Sequence, residues 1–204
     1  MKTIVLYATA TMADWEYGYL TAGLAMSGKV ASGDLALVVA ADGSAGTVTT
    51  MGGLTIVPDS DLADLDTRDI AALVLPGANT WGQGHAAALR LAGDCKDSGI
   101  LVAAICGATL GLARAGLLND RDHTSNAPEF LAHAAEYTAA DRYQATTTVS
   151  DRGVITAPAT APIDFARAVF EHLDLFHPAT LDAWYGLYTT GEKKYFEQLQ
   201  QADQ

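Results

Sequence analysis

One cysteine stands at a position suited to nucleophilic chemistry. Cys106 lies between an apolar run that ends at Ile105 and a small-residue segment that begins at Gly107. A strand that turns sharply into a helix presents a nucleophile at the top of an α/β sheet, and a glycine after it relieves the crowding. A helix N-terminus beside the thiol favours the thiolate, so we expect a lowered pKa for Cys106. The alternative is a buried structural cysteine used as a small hydrophobe.

A second loop follows another apolar run and reads Leu-Pro-Gly-Ala at residues 75–78. Open α/β sheets bind ligands at the carboxyl ends of their strands, so we expect this loop beside Cys106. A tetrahedral oxyanion needs two N–H donors held in advance. The amides of Ala78 and Gly107 are the natural pair, with Gly77 as a supporting residue. Taken alone, Pro-Gly after a strand indicates only a turn.

Two titratable residues are candidates for proton transfer with Cys106. Glu16 opens a helix-like segment, and a carboxyl group beside a thiolate can share a proton with it. An acidic residue there is equally explained by the helix dipole, which it complements. His123 follows the predicted elbow helix and is a candidate base if its loop returns over the sheet edge. Otherwise a lone loop histidine is solvated and inert.

Other chemistries lack their residues in this sequence. Cys95 and Cys106 form no Cys-x-x-Cys pair, and the five histidines have no metal-ligand spacing, so we expect no metal site. Glycine-rich phosphate fingerprints are missing, and we expect no cofactor. Asp and Glu outnumber Lys and Arg by 24 to 12. The formal charge of -12 repels phosphate backbones, and without a basic cluster we expect no nucleic-acid partner.

The elements that must position these residues alternate along the chain. Four short apolar runs predict buried strands, at residues 3–8, 35–41, 70–75 and 100–105. Three segments with helical spacing accompany them, at residues 14–27, 85–98 and 108–117, the first with Asp14 as N-cap. Alternation of this kind indicates a mostly parallel sheet with helices on both faces. We therefore expect a flavodoxin-like three-layer α/β sandwich with a nucleophile elbow.

The remaining segments complete the predicted domain. Hairpins are expected over 47–57 and 146–156, and a helix is expected after Pro162. The aromatic-rich segment over 178–199 is expected to pack in the core or at a subunit interface. Because no linker interrupts the chain, we expect a single domain over residues 1–204. No apolar run has the length needed to cross a bilayer, and the N-terminus resembles a strand. We therefore expect a cytoplasmic protein with no membrane partner.

Together the three loops resemble the ThiJ/PfpI superfamily, which has the class I glutamine amidotransferase-like fold. The resemblance covers nearly the whole chain and is carried by residues 14–16, 55–59, 75–78 and 104–108. It implies that Glu16 contacts Cys106 and that the Ala78 and Gly107 amides form an oxyanion pocket. It also implies a homodimer.

Departures from the family pattern reduce the number of activities that the resemblance supports. Members with protease or glyoxalase-like activity tend to carry a histidine directly after the nucleophile, where this sequence has Gly107. Many others carry a histidine in the loop after the elbow helix, where this sequence has Asn126, with His123 three residues earlier. A glutaminase needs a late His-x-Glu, which does not occur here. The resemblance therefore indicates the fold rather than glutaminase or protease activity.

Three functions from different classes follow. The first is a cysteine-dependent hydrolase or hydratase that acts on a small electrophilic substrate, with Cys106 as nucleophile and Glu16 managing a proton. The second is a redox-responsive stress protein whose Cys106 is oxidised to sulfenic or sulfinic acid. The third is an interaction module with an ordinary, slow-reacting thiol.

Overall fold

Short apolar strands alternate with helices along most of the chain in this computed structural model, which describes residues 1–43 and 46–202. The strands are β1 Lys2–Tyr7, β2 Leu35–Ala41, β3 Val48–Thr49, β4 Thr55–Ile56, β5 Ser60–Asp61, β6 Ile70–Leu75, β7 Leu101–Ile105, β8 Val149–Asp151 and β9 Val154–Ala157. The helices are α1 Asp14–Met26, α2 Ala86–Asp97, α3 Gly107–Arg114, α4 Pro128–Leu131, α5 Pro162–His172, α6 Pro178–Thr190 and α7 Lys193–Ala202.

Seven of the strands form one sheet in the order β5-β2-β1-β6-β7-β9-β8. Neighbouring strands are parallel throughout, except that β8 pairs antiparallel with β9. The central order β2-β1-β6-β7-β9 is that of a flavodoxin-like sheet. It places the carboxyl ends of β1, β6 and β7 side by side, so the loops after these three strands meet at one edge.

Helices cover both faces of this sheet. Along β7, Val102 and Ala104 belong to the core shared with α2 and α3, whereas Ala103 and Ile105 belong to the core shared with α1, α5 and α6. Successive side chains of a strand point to opposite faces, so a strand buried on both faces requires an uninterrupted apolar run. The predicted three-layer α/β sandwich is confirmed.

α1 packs closely on α5, and this contact anchors the helix that carries Glu16. A Cβ on Gly23 would lie 2.2 Å from the Phe170 ring, so a glycine lets the two helices approach. Asp14 is the first residue of α1 rather than its N-cap, as the sequence had suggested. Ala13 takes the cap position, and its methyl side chain makes no cap hydrogen bond. The Asp14 carboxylate accepts the Gly52 N–H at 2.7 Å.

Both predicted hairpins are present, as the β3/β4 pair and the β8/β9 pair. The aromatic-rich C-terminal segment forms two helices, α6 and α7. Gly191 takes a φ of 71° and caps α6, which separates α6 from α7. Within the described ranges, no helix combines the length and the apolar character needed to cross a membrane.

Candidate active site

Cys106 occupies the sharp turn between β7 and α3. Its φ of 57° and ψ of -122° lie outside the usual regions for a residue with a side chain. Strain of this kind costs on the order of 1–3 kcal/mol and clusters at functional sites. The next residue has to be glycine, because a Cβ on Gly107 would lie 2.8 Å from the Ala78 carbonyl oxygen and 3.0 Å from Trp81. The turn therefore has the geometry of a nucleophile elbow.

Glu16 reaches the thiol from the first turn of α1. Its side chain is buried, with 1% of its surface exposed, and Oε2 accepts the Gly77 N–H at 2.5 Å. A Cβ on Gly77 would lie 2.6 Å from Glu16 Oε2 and 2.9 Å from Cys106 Sγ. The carboxyl group and the thiol therefore meet around Gly77, where only a glycine leaves room for both. Glu16 Oε1 is buried without a hydrogen-bond partner among the described residues.

Burial controls the protonation of this pair. It raises the pKa of the Glu16 carboxyl from 4.5 to about 7, although contacts with Cys106 and the Gly77 N–H act in the opposite direction. Burial likewise raises the pKa of the Cys106 thiol from 9.0 to about 11. Hydrogen bonds from Asn126 and the Gly107 N–H lower it, and the Glu16 charge raises it further. The expected lowering of the Cys106 pKa is therefore wrong, because desolvation outweighs the donors of the helix N-terminus.

Two interacting groups of this kind lose their protons as a pair. The first proton leaves near pH 7 and the second near pH 11, so between these values the pair holds one proton and one negative charge. The charge can lie on the Glu16 carboxylate, or on the Cys106 thiolate with the carboxyl O–H donating to it. Because the pKa of the thiol is raised well above that of the carboxyl group, the charge lies mainly on Glu16, and a thiolate forms on Cys106 only when its proton passes to Glu16.

Asn126 supplies a third contact at the sulfur. Its Nδ2 lies 3.4 Å from Cys106 Sγ, and its Oδ1 accepts the Ala159 N–H at 2.9 Å. Because a backbone N–H must face an oxygen, the bond from Ala159 determines which way the amide points. Asn126 therefore presents its NH₂ group to Cys106 as a hydrogen-bond donor, and it is not a base.

His123 is engaged by other partners than the thiol. The ring is fully buried, with Nδ1 2.9 Å from the Arg121 carbonyl oxygen and Nε2 2.7 Å from the Tyr137 hydroxyl. Nδ1 faces an acceptor and so carries the proton of the neutral ring, in which Nε2 accepts the Tyr137 O–H, a hydroxyl that also lies 3.1 Å from the Ala139 carbonyl oxygen. Burial lowers the pKa of the imidazole, which favours this neutral form. Within the described chain, His123 is thus a structural residue of the loop that carries Asn126, and it is not a hydrogen-bond partner of Cys106.

The Ala78 N–H differs from its neighbours in having no acceptor within the described residues. The Gly77 N–H donates to Glu16, and the Asn79 N–H donates to Thr11 Oγ1 at 3.0 Å. Backbone N–H groups are nearly always paired when they are shielded from water. Ala78 is only half-buried, so its unpaired N–H can donate to a bound ligand. Its pairing with Gly107 as an oxyanion hole stays a prediction, which the unpaired Ala78 N–H supports, while the Gly107 N–H contacts the Cys106 sulfur.

Trp81 and Thr11 also hold this loop, although neither residue was predicted from the sequence. Trp81 Nε1 donates to the Pro76 carbonyl oxygen at 2.9 Å, and its ring lies 2.3 Å from where a Cβ on Gly111 would stand. The available signal was the spacing of Gly107 and Gly111, since glycine inside a helical pattern indicates a close approach. Thr11 gave no sequence signal.

The described part of the chain contains no side-chain cluster of the kind that binds metal ions. No group of three or more His, Cys, Asp or Glu side chains there is arranged to hold a metal ion. The site consists of a thiol, a buried carboxyl group, an amide donor and backbone N–H groups. This set can perform nucleophilic attack and move a proton.

Comparisons with known proteins find relatives that match nearly the whole chain. Among curated proteins, "Uncharacterized protease YoaZ" of Bacillus subtilis (strain 168) is 42% identical, over 97% of this chain and 96% of its own length. Among solved structures, a thiJ/pfpI family protein from Bacillus anthracis has a TM-score of 0.87 at 38% identity, covering 99% of this chain and 98% of that one. DJ-1 superfamily protein Atu0886 from Agrobacterium tumefaciens has a TM-score of 0.82 at 36% identity, covering 94% and 99%.

A family model also matches most of the chain. Residues 2–172 match the model described as the DJ-1/PfpI family, and this span includes the elbow, the buried carboxyl group and the Ala78 loop. The resemblance expected from four short segments is therefore confirmed across most of the sequence, and the chain belongs to the DJ-1/PfpI family.

Proposed function

We propose that the protein is a cysteine-dependent enzyme of the hydrolase or hydratase type that acts on a small carbonyl electrophile. The observation that carries the proposal is the buried pair of Glu16 and Cys106 at the carboxyl edge of the sheet. A carboxyl group with a pKa of about 7 is matched to proton transfer at neutral pH. It can accept the thiol proton before attack and return that proton afterwards.

The chemical steps follow from this pair. Proton transfer to Glu16 leaves a thiolate on Cys106, and Sγ then forms a bond to the carbonyl carbon while the C=O π electrons move to oxygen. The amides of Ala78 and Gly107 would stabilise the resulting oxyanion. In a hydrolase, Glu16 then gives its proton to the leaving group as the C=O bond re-forms, and water hydrolyses the resulting thioester and returns a proton to Cys106. In a hydratase, Glu16 protonates the oxyanion, and water displaces Sγ from the carbon of the hemithioacetal while its proton returns to Cys106.

A peptide substrate has less support, although the curated relative carries the word protease in its name. Cysteine proteases activate the thiol with a histidine base that later protonates the leaving amine. In this chain the side-chain amide of Asn126 donates to Cys106, and the residue after the nucleophile is Gly107. These features favour a small carbonyl compound over a peptide bond.

Acylation by 4-nitrophenyl acetate tests the proposal. We expect a stoichiometric burst of nitrophenol, with the acetyl group found on Cys106 by peptide mass spectrometry. Cys95 is the internal control, because it is fully buried and burial raises its pKa to about 12. A panel of small aldehydes and esters would then identify the substrate class. Acetyl groups on other side chains with Cys106 unmodified, or full activity in Cys106→Ser, would contradict the proposal.

A second function is favoured by the donors around the sulfur. Asn126 Nδ2, the Gly107 N–H and a protonated Glu16 can all hydrogen bond to oxygen atoms added to Cys106 Sγ. A redox-responsive stress protein would use them to hold a sulfenic or sulfinic acid without any histidine. In the first step, the thiolate attacks a peroxide oxygen, the O–O bond breaks and water leaves after taking up a proton.

Mild hydrogen peroxide is expected to oxidise Cys106 before Cys95. The reason is accessibility, since Cys106 is half-buried at the site whereas Cys95 lies in the core. Intact-mass analysis followed by peptide mapping measures the order of oxidation. Equal modification of the two cysteines would count against the redox function, and protection of Cys106 would remove it.

A further inference from the structure

The loop that carries the Ala78 amide is held by the turn between β1 and α1. The Ala13 N–H donates to the Gly77 carbonyl oxygen at 2.9 Å, and the Asn79 N–H donates to Thr11 Oγ1 at 3.0 Å. In a planar trans peptide, the C=O and N–H of one unit point in opposite directions. The bond to the Gly77 oxygen therefore sets the direction of the Ala78 N–H. The bond from the Asn79 N–H sets the direction of the Ala78 carbonyl.

Thr11 makes its contact from a strained backbone. Its φ is 62°, which lies in the left-handed region and is a genuine outlier for a β-branched residue. Such residues persist only where the surroundings hold them, and they concentrate at functional sites. Here the β3/β4 hairpin holds the turn, because the Thr11 N–H donates to the Thr49 carbonyl and the Met51 N–H donates to the Met12 carbonyl, each at 2.9 Å.

We propose that Thr11 is a positioning residue whose hydroxyl locks the peptide unit between Ala78 and Asn79. It thereby keeps the Ala78 carbonyl oxygen in its place beside Gly107, next to the Ala78 N–H that the Ala13 bond directs at the substrate oxygen. This inference rests on the proposed function, which supplies the oxyanion that the N–H stabilises. Asn79 is exposed, so without the hydroxyl its N–H turns to water. The unit between Ala78 and Asn79 is then free to rotate.

Two matched variants distinguish the effect of the Thr11 hydroxyl from the effect of the shape of its side chain. Thr11→Val keeps the β-branched shape and loses the acceptor, whereas Thr11→Ser keeps the acceptor. Removing an oxyanion donor outright costs roughly 100-fold or more, so we expect roughly 10-fold slower acylation of Cys106 in Thr11→Val. Alkylation by iodoacetamide forms no oxyanion and should stay within about twofold of wild type. Thr11→Ser should match wild type in both reactions.

Amide hydrogen exchange at Asn79, followed by NMR, examines the same contact without any substrate. Exchange should be faster in Thr11→Val than in wild type and Thr11→Ser. If wild-type protein is not acylated at all, the proposed function fails, and the exchange rates still decide whether Thr11 holds the loop. Equal exchange in all three proteins, or acylation of Thr11→Val at the wild-type rate, overturns the inference. Parallel losses of acylation and alkylation also overturn it, because Thr11 would then act only on the fold.

Discussion

Glu16→Gln is expected to slow acylation of Cys106 at neutral pH by roughly 10²- to 10⁴-fold, the range for losing a positioned acid–base group. In wild type the first proton leaves the pair near pH 7, so the rate should rise through that value. Glutamine cannot accept the thiol proton. The rate should then follow ionisation of the thiol alone, which burial keeps above its ordinary value of 9.0.

The measurement is the pH dependence of acylation from about pH 5 to 10, a range that spans the raised pKa of the carboxyl group, about 7, and the ordinary pKa of a thiol. Asp14→Asn is the matched control, because Asp14 lies in the same helical turn but bonds to Gly52. It should keep the inflection near pH 7. Persistence of that inflection in Glu16→Gln would assign the ionisation to another group and remove Glu16 from the proposed reaction.

The same substitution should change how stability depends on pH. The folded-state pKa of Glu16 is raised to about 7 from 4.5, so folding favours the protonated form. This advantage is fully present below pH 4.5 and is lost as the pH rises through 7. Glutamine does not ionise, so Glu16→Gln does not lose stability in this way. The difference in free energy of unfolding between the variant and wild type should therefore rise, by up to about 3 kcal/mol, as the pH increases from 4.5 to 7. Urea denaturation at several pH values measures it.

Gly77→Ala is expected to lower the rate of acylation by roughly 100-fold, the size of effect produced by a misplacement of about 1 Å. The new Cβ would stand 2.6 Å from Glu16 Oε2, 2.7 Å from Cys106 Cβ and 2.9 Å from Cys106 Sγ. These atoms are the reacting pair, so they have to separate. The φ of Gly77 is not among the positive values in the chain, and the effect therefore comes from the contact rather than from backbone strain.

Gly82→Ala provides the control for this variant. Gly82 lies a few residues further along the chain, and a Cβ there meets no atom within 4 Å. Its acylation rate should match wild type. Thermal unfolding of both variants would show that the domain still folds. A wild-type rate in Gly77→Ala would mean that the close contact between the carboxyl group and the thiol has no part in the chemistry.

Much of the fold was predictable because the signals that specify it are local. The runs at 35–41 and 70–75 became β2 and β6 with the expected bounds, since an apolar run of strand length between polar turns predicts a strand. β6 is buried as expected, whereas β2 lies beside the short edge strand β5 and its first five residues are only half-buried. The junction at Cys106 and Gly107 was equally readable, because an elbow needs a small residue directly after the nucleophile.

The direction of the side chains in loops was not predictable in the same way. His123 follows the elbow helix as a candidate base should, yet its ring bonds to Arg121 and Tyr137. Asn126, three residues later, is the residue that donates to Cys106. Its orientation depends on Ala159, which lies 33 residues away. Sequence spacing carries no information on contacts of this kind.

The sequence by itself determined the strands, the elbow and the residue types available for chemistry, because these follow from side-chain periodicity and local sterics. The tertiary structure alone decided how those residues are protonated. Glu16 bonds to Gly77 across 61 residues of chain, and burial there raises the pKa of Glu16 and of Cys106 instead of lowering that of the thiol. Desolvation depends on everything that surrounds a group in space, and that environment exists only once β1, β6 and β7 bring their loops to one edge of the sheet.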